Sequence, residues 1–208
     1  MKKDDLLKII ATYGYNSGFG AKKNFASHDI VVKLPSWIGF TTLAIGIIQL
    51  GYSTFSENKQ LSTVLILISV ISLYVSVHNS DTEKFDKEGI RLTKNFNKLK
   101  DLYYTVKSSS KDDFAQEKLE LDEIIKDFYS NTITKQVFLS QWFAHFKFFY
   151  EMQIDWINEQ LNFKFFKDKI PNSLKVLFVM ILVTSIIFIC YEYFGNFSTI
   201  FNQSNNPE

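Results

Sequence analysis

Two sets of side chains in this 208-residue sequence have types and spacings that carry chemistry. The first is a row of small polar residues inside an apolar run: Ser62, Ser69, Ser72, Ser76 and Asn79. Steps of three, four and seven residues put them on one face of a helix. A weaker row, Thr42, Gly46, Gln49 and Ser53, lies in an earlier apolar run. Two readings fit such rows. In an oligomer they line a hydrated path, with Thr42, Gln49, Ser62, Ser69, Ser72, Ser76 and Asn79 as its lining; or they let neighbouring helices approach closely and hydrogen-bond. Gln49 is the costliest of them to leave against lipid and is expected to face protein or water. His78 stands at the end of the row beside Asn79. Its titration would tune a gate with pH, and an interfacial histidine without that role is the plainer alternative.

The second set is cationic. Lys84, Lys87, Arg91, Lys94 and Lys98 form a stripe beside an apolar seam, and Arg91 is the sole arginine of the sequence. Such a stripe suits an anionic ligand, a nucleotide or oligonucleotide. It equally suits a solvated face or attraction to anionic headgroups. Glu151, Asp155 and Glu159 make an acidic row later in the chain that is expected to pair with it.

Catalytic and metal-binding patterns are missing. His28, His78 and His145 are far apart in sequence, Cys190 is the single cysteine, and there is no phosphate-cradling glycine loop or nucleophile elbow. Neither an enzyme nor a cofactor is expected. A net charge of +1 favours no partner in bulk.

The elements that must position these sets are helices. Glycine and proline number only 8 and 3, which disfavours a loop-rich or all-β chain. Residues 34–55 carry no charge, and a span needs about 20 such residues to cross about 30 Å of hydrocarbon. Trp37 and Tyr52 suit an interfacial belt. Pro35 is expected in the first turn, where a missing N–H costs little. Residues 61–77 form a second uncharged run after a short polar turn, and residues 176–191 a third. The fold expected is all-α and integral to a membrane, with three spans and a helical cytoplasmic body.

Flanking cations set the orientation. Lys22, Lys23 and Lys33 precede the first run, Lys84 to Lys94 follow the second, and Lys164, Lys167, Lys169 and Lys175 precede or open the third. The positive-inside rule then puts the N-terminus and the middle segment in the cytoplasm and the tail outside. The charged start, with no apolar core before Leu34, agrees with a cytosolic N-terminus.

Four regions follow: 1–33, an amphipathic N-terminal helix; 34–80, the hairpin of two spans; 81–173, a cytoplasmic helical domain; and 174–208, the third span and tail. Phe85, Gly89, Leu92, Phe96, Leu99, Tyr103 and Val106 repeat with the spacing of a coiled-coil seam. No Pro or Gly interrupts Leu61 to Glu88, so a long helix is expected to run from the second span into the cytoplasm. Ser110 with Asp113 reads as a capping box for a shorter helix. A last cytoplasmic helix is expected from about Thr134 to Lys167, rich in aromatics and packed on several sides or lying at the membrane surface.

This order resembles the SLATT family of two-span effector domains. The features that carry it are a basic N-terminal helix with Ala21-Lys22-Lys23-Asn24, a hairpin at 34–77 and long helices after it. The third span at 176–191 goes beyond the two-span pattern. The resemblance implies a homo-oligomeric pore or ion channel that kills or arrests a phage-infected cell, an abortive infection. It implies control by a nucleotide or single-stranded oligonucleotide from a partner nucleotidyltransferase. In the variant called Hailong, a DNA-like oligonucleotide holds the effector closed; the residues here say nothing about the sign of control. Three spans are too few to enclose a wide path, so a ring of copies is required, and a tetramer is the working number. The alternative is a non-conducting anchor whose helical body docks a soluble signalling partner.

Overall fold

The computed structural model describes residues 2–77, 81–130, 133, 135–205, with side chains described through Tyr191. Among these residues the secondary structure is helical: α1 (Lys3–Gly51), α2 (Ser53–Ser56), α3 (Lys59–Ser76), α4 (Thr82–Ser108), α5 (Ala115–Ser130), α6 (Ser140–Glu151), α7 (Asp155–Leu161), α8 (Phe165–Asp168) and α9 (Asn172–Asn205). The chain divides into two units, Met1–Phe163 and Lys164–Glu208. α1, α3 and the stretch Asn172–Tyr191 of α9 are each long and apolar enough to cross a membrane. The fold is thus all-α and integral to a membrane.

In the first unit, α1 is the spine. Its first half buries Leu6, Leu7, Ile10, Ala11, Gly14, Ser17, Gly18, Ala21 and Asn24, in steps of three and four. The small residues sit where large partners press in. An added Cβ on Gly18 would lie 2.8 Å from Phe96, and one on Gly20 would lie 3.0 Å from Leu92. One on Gly89 would lie 2.7 Å from Phe25. These pairings run antiparallel, α1 against α4. The N-terminal end is fastened by Lys3, whose Nζ donates to the carbonyls of Lys107 and Ser109 at 2.8 and 2.7 Å. It satisfies acceptors that the end of α4 leaves without an intrahelical partner. The seam expected in α4 is buried throughout, from Phe85 to Val106. Its partner, α1, makes up its shortage of bulk with close approach.

Four expectations are corrected. Pro35 lies within α1, not in a first turn. Proline has no N–H to offer the carbonyl of Val31, and its ring crowds that carbonyl. The helix continues because both flanking halves are anchored, the first by the core and the second by α3. The long helix linking the apolar and polar regions is therefore α1. α3 ends at Ser76 and α4 starts at Thr82, and residues 78–80 between them lie outside the described residues.

The third correction concerns the start of α5. Asp113 Oδ1 accepts from Ala115 N–H at 3.1 Å, so Asp113 caps alone, and Ser110 stands too far upstream for a reciprocal box. The fourth concerns the single helix expected from Thr134 to Lys167, which is divided into α6, α7 and α8. No Pro or Gly causes this. Leu139 and Asn162 take left-handed conformations. The break between α6 and α7, at Met152 to Ile154, lets Phe148 reach Gly18 while Trp156 reaches Gly14. Packing of two rings into two glycine notches overrides helix propensity here.

In the second unit, α9 carries an exposed apolar surface from Val176 to Tyr191. Lys175 Nζ donates to Lys167 O at 3.2 Å and to Asn172 Oδ1 at 3.1 Å.

Candidate functional site

The hairpin places the polar rows. α3 folds back on the second half of α1, with Thr42, Gln49, Ser62 and Ser72 half-buried and Ser69 and Ser76 exposed. Gln49 Nε2 donates to Ser62 Oγ at 3.3 Å and to Phe55 O at 3.2 Å. It therefore faces protein, tying the two spans near their turn. The other hydroxyls turn back on their own helices: Thr42 donates to Ile38 O at 2.8 Å, Ser69 to Leu65 O at 2.8 Å and Ser76 to Ser72 O at 2.9 Å. Such bonds satisfy a hydroxyl in lipid as well as in water. His78 and Asn79 lie outside the described residues.

The cationic stripe divides in the same way. Arg91 is committed to the fold. Its guanidinium donates to both carboxylate oxygens of Glu88 at 2.8 and 2.7 Å. It also donates to Asp127 Oδ2 at 2.7 Å and to Asp127 O. Glu88 is only 7% exposed and needs this partner. The hydrogen bond that Arg91 donates to Glu88 holds the guanidinium above its usual pKa, against the pull of burial. Asn95 donates to Asp127 at 2.6 Å and, with Arg91, keeps that carboxylate below its usual range although burial opposes it. Lys84 pairs with Asp81 at 3.0 Å and Lys87 with Glu83 at 2.6 Å, both exposed. Such pairs yield readily to a competing anion. Lys94 and Lys98 are exposed. Of the acidic row, Glu159 pairs instead with Lys107 at 2.6 Å, linking α7 to the far end of α4.

A cleft of about 250 Å³ opens beside Arg91, between α1, α4 and the end of α5. The aromatic rings of Tyr15, Phe19 and Phe128 line it together with the amides of Asn16, Asn24 and Gln136, and with Lys23 and Glu88. Gln136 is clamped to α1. Ser27 donates to its Oε1 at 2.7 Å, and its Nε2 donates to Asn24 Oδ1 at 3.2 Å. Flat apolar faces, amide donors and acceptors, and one ammonium are the groups that hold a nucleobase and a phosphate. Sequence reasoning placed the ligand on α4 alone. It missed this cleft because Tyr15, Asn16, Asn24 and Gln136 come from segments about 110 residues apart. The available signal was the run of polar and aromatic residues from Tyr15 to Asn24 on an otherwise apolar-faced helix. Among the described residues no His, Cys, Asp and Glu side chains group as a metal site.

A model of the family described as SMODS and SLOG-associating 2TM effector domain 6 matches residues 1–178. The match takes in the core, the hairpin, the cleft and the start of α9. No curated protein and no solved structure matches the chain.

Proposed function

Since this chain belongs to the SMODS and SLOG-associating two-span effector family, we propose that it is a homo-oligomeric, pore-forming effector of bacterial anti-phage defence. In this reading it is gated by a nucleotide or oligonucleotide on its cytoplasmic helices, made by a partner nucleotidyltransferase. On the same reading it sits in the inner membrane with its N-terminus in the cytoplasm and its C-terminus outside, an orientation that the flanking lysines support.

The observation that carries the reading is the continuity of α1. One helix of 49 residues lines the cleft with its first half and spans the membrane with its second, about 74 Å end to end. A base stacked on Tyr15 and Phe19 presses on the same continuous helix that forms the first span. Phosphates of such a ligand would engage Lys23 and the exposed Lys94 and Lys98, and displace Lys84 and Lys87 from their surface pairs. Arg91 holds the cleft's shape. The hairpin exposes apolar residues such as Leu43, Ile47, Ile66, Val70 and Leu73, so copies have surface on which to pack. In a tetrameric ring, Ser69, Ser72 and Ser76 line the path, and Gln49 and Ser62 brace the hairpin.

One observation favours the second reading, a non-conducting anchor that docks a soluble partner: the hydroxyls of Thr42, Ser69 and Ser76 already have acceptors on their own helices and need no water. Dye and ion release from liposomes holding the full chain separates the two. The pore reading expects release that changes with the partner enzyme's nucleotide product and shifts in ion selectivity with Ser76→Asp. Liposomes that stay sealed with and without that product, while the protein is inserted and assembled, would support the anchor instead.

A further inference from the structure

A second cavity, of about 440 Å³, lies at the boundary between the soluble core and the hairpin. Its walls are apolar, with Ile30, Leu34, Val75 and Leu139 among them, and its charged groups are Asp29, Lys33 and Lys147. Lys33 is the last charged residue before the uncharged run of α1. The cavity thus stands where hydrocarbon gives way to headgroups. We infer that it holds one anionic phospholipid of the surrounding bilayer, with an acyl chain inside and the phosphate against Lys33 and Lys147.

Three observations converge on this occupant. Charge is the first: Asp29 accepts from Lys33 and from Lys147, each at 2.7 Å. Two ammoniums share one carboxylate, which leaves one positive charge uncompensated, and the Lys33 side chain is 63% exposed and able to turn outward. The second is α6, which buries Ala144, His145, Phe148 and Phe149 while leaving Phe143, Phe146 and Tyr150 exposed. An exposed aromatic face beside a span is what an interfacial helix presents to lipid. The third is Leu139, which lines the cavity with φ of 69°. Its carbonyl accepts from Trp142 N–H at 2.9 Å. A left-handed leucine is strained, and such strain collects at ligand clamps.

The inference needs only a membrane-inserted chain and is independent of conduction, so sealed liposomes would not bear on it. The test is native mass spectrometry of the full chain released from vesicles of equal phosphatidylglycerol and phosphatidylcholine. One uncompensated ammonium near a headgroup predicts retained phosphatidylglycerol over phosphatidylcholine by about fivefold. Ile71→Trp should lose retained lipid of both kinds. Ile71 lines the cavity from α3 and is half exposed, so the larger ring need not disturb the core. Lys33→Gln leaves Lys147 balanced by Asp29 and should retain lipid without preference, and Lys33→Arg should keep the preference. Should Lys33→Gln fail to fold, Ile71→Trp decides alone. Equal retention of the two lipids by the native chain, unchanged retention by Ile71→Trp, or displacement of phosphatidylglycerol by inorganic phosphate alone would each overturn the assignment.

Discussion

Gly18→Ala tests whether the soluble core is built on close approach to α1. The new Cβ would lie 2.8 Å from Phe96 Cδ2 and 2.9 Å from Phe148 Cε2. Those rings come from α4 and α6, and both are buried. Ordinary contact needs about 0.5 Å more on each side, and relief against one ring is blocked by the other's neighbours. Overpacking costs about 1–3 kcal/mol, and two buried rings met at 2.8 and 2.9 Å put this case at about 2–3 kcal/mol. Alanine recovers about 1 kcal/mol through helix propensity. The net expectation is a loss of about 1–2 kcal/mol. For a body of this size, thermal unfolding in detergent, followed by far-ultraviolet circular dichroism, should move down by about 3–6 °C. Gly46→Ala is the matched control, since a Cβ there meets nothing within 4 Å. It should leave the transition in place or raise it slightly. If Gly18→Ala behaves like Gly46→Ala, α1 and α4 do not pack as closely as described, and the argument for small residues in α1 fails.

Other perturbations follow from single contacts. Arg91→Met strands the buried Glu88 and should cost about 3 kcal/mol, with Arg91→Lys between that and the native protein because one ammonium cannot replace the fork; equal melting of the lysine variant and the native chain would count against the network. Ser17 Oγ is buried without a partner, so Ser17→Ala should be neutral or stabilise by up to about 1 kcal/mol, and a clear loss would mean that the hydroxyl has a partner in solution. Gln49→Leu should weaken the hairpin by about 0.6 kcal/mol without altering ion selectivity; altered selectivity at unchanged stability would put Gln49 on the path instead. Acid should destabilise the soluble core. Burial raises Asp29 but its bonds to Lys147 and Lys33 outweigh it, and the bond from Asn95 lowers Asp127. Both folded pKa values lie below their unfolded ones, so the contribution is complete above about pH 4–5 and is lost as pH falls through the lowered values. Asp127→Asn should flatten that decline in melting temperature, and an unchanged slope would remove Asp127 from the account.

Much of the fold could be read from residue pattern. Charge-free length alone identified three spans, because lipid leaves few other solutions for such runs. The seam of α4 was legible because large apolar residues recur at helical spacing. Its partner face on α1 was not, since Gly14, Ser17, Gly18 and Ala21 carry no hydrophobic signal and matter through what they lack. The path of residues 134–167 was hidden for a related reason. Nothing local breaks the helix between Glu151 and Asp155, and only the notches on α1 reward it. For the candidate site, the cationic stripe was visible but the division of labour within it was not. Arg91 looks like its neighbours in sequence, and Glu88 and Asp127 make it a structural tie. The aromatic and amide cleft needed the third dimension, because one wall comes from residues 15–24 and the other from residues 88–136.

Pro35 gives α1 a single weak place. The helix is stiff on both sides of it, with a packed core before and a paired hairpin after. About 16 residues beyond it, the far end lies about 24 Å away. A change of about 10° at that pivot sweeps the tip sideways by about 4 Å, close to half the spacing between packed helices. A small shift in how the first half of α1 beds against α4 would thereby be geared up, by leverage alone, into a displacement as large as a side chain at the far end of the helix.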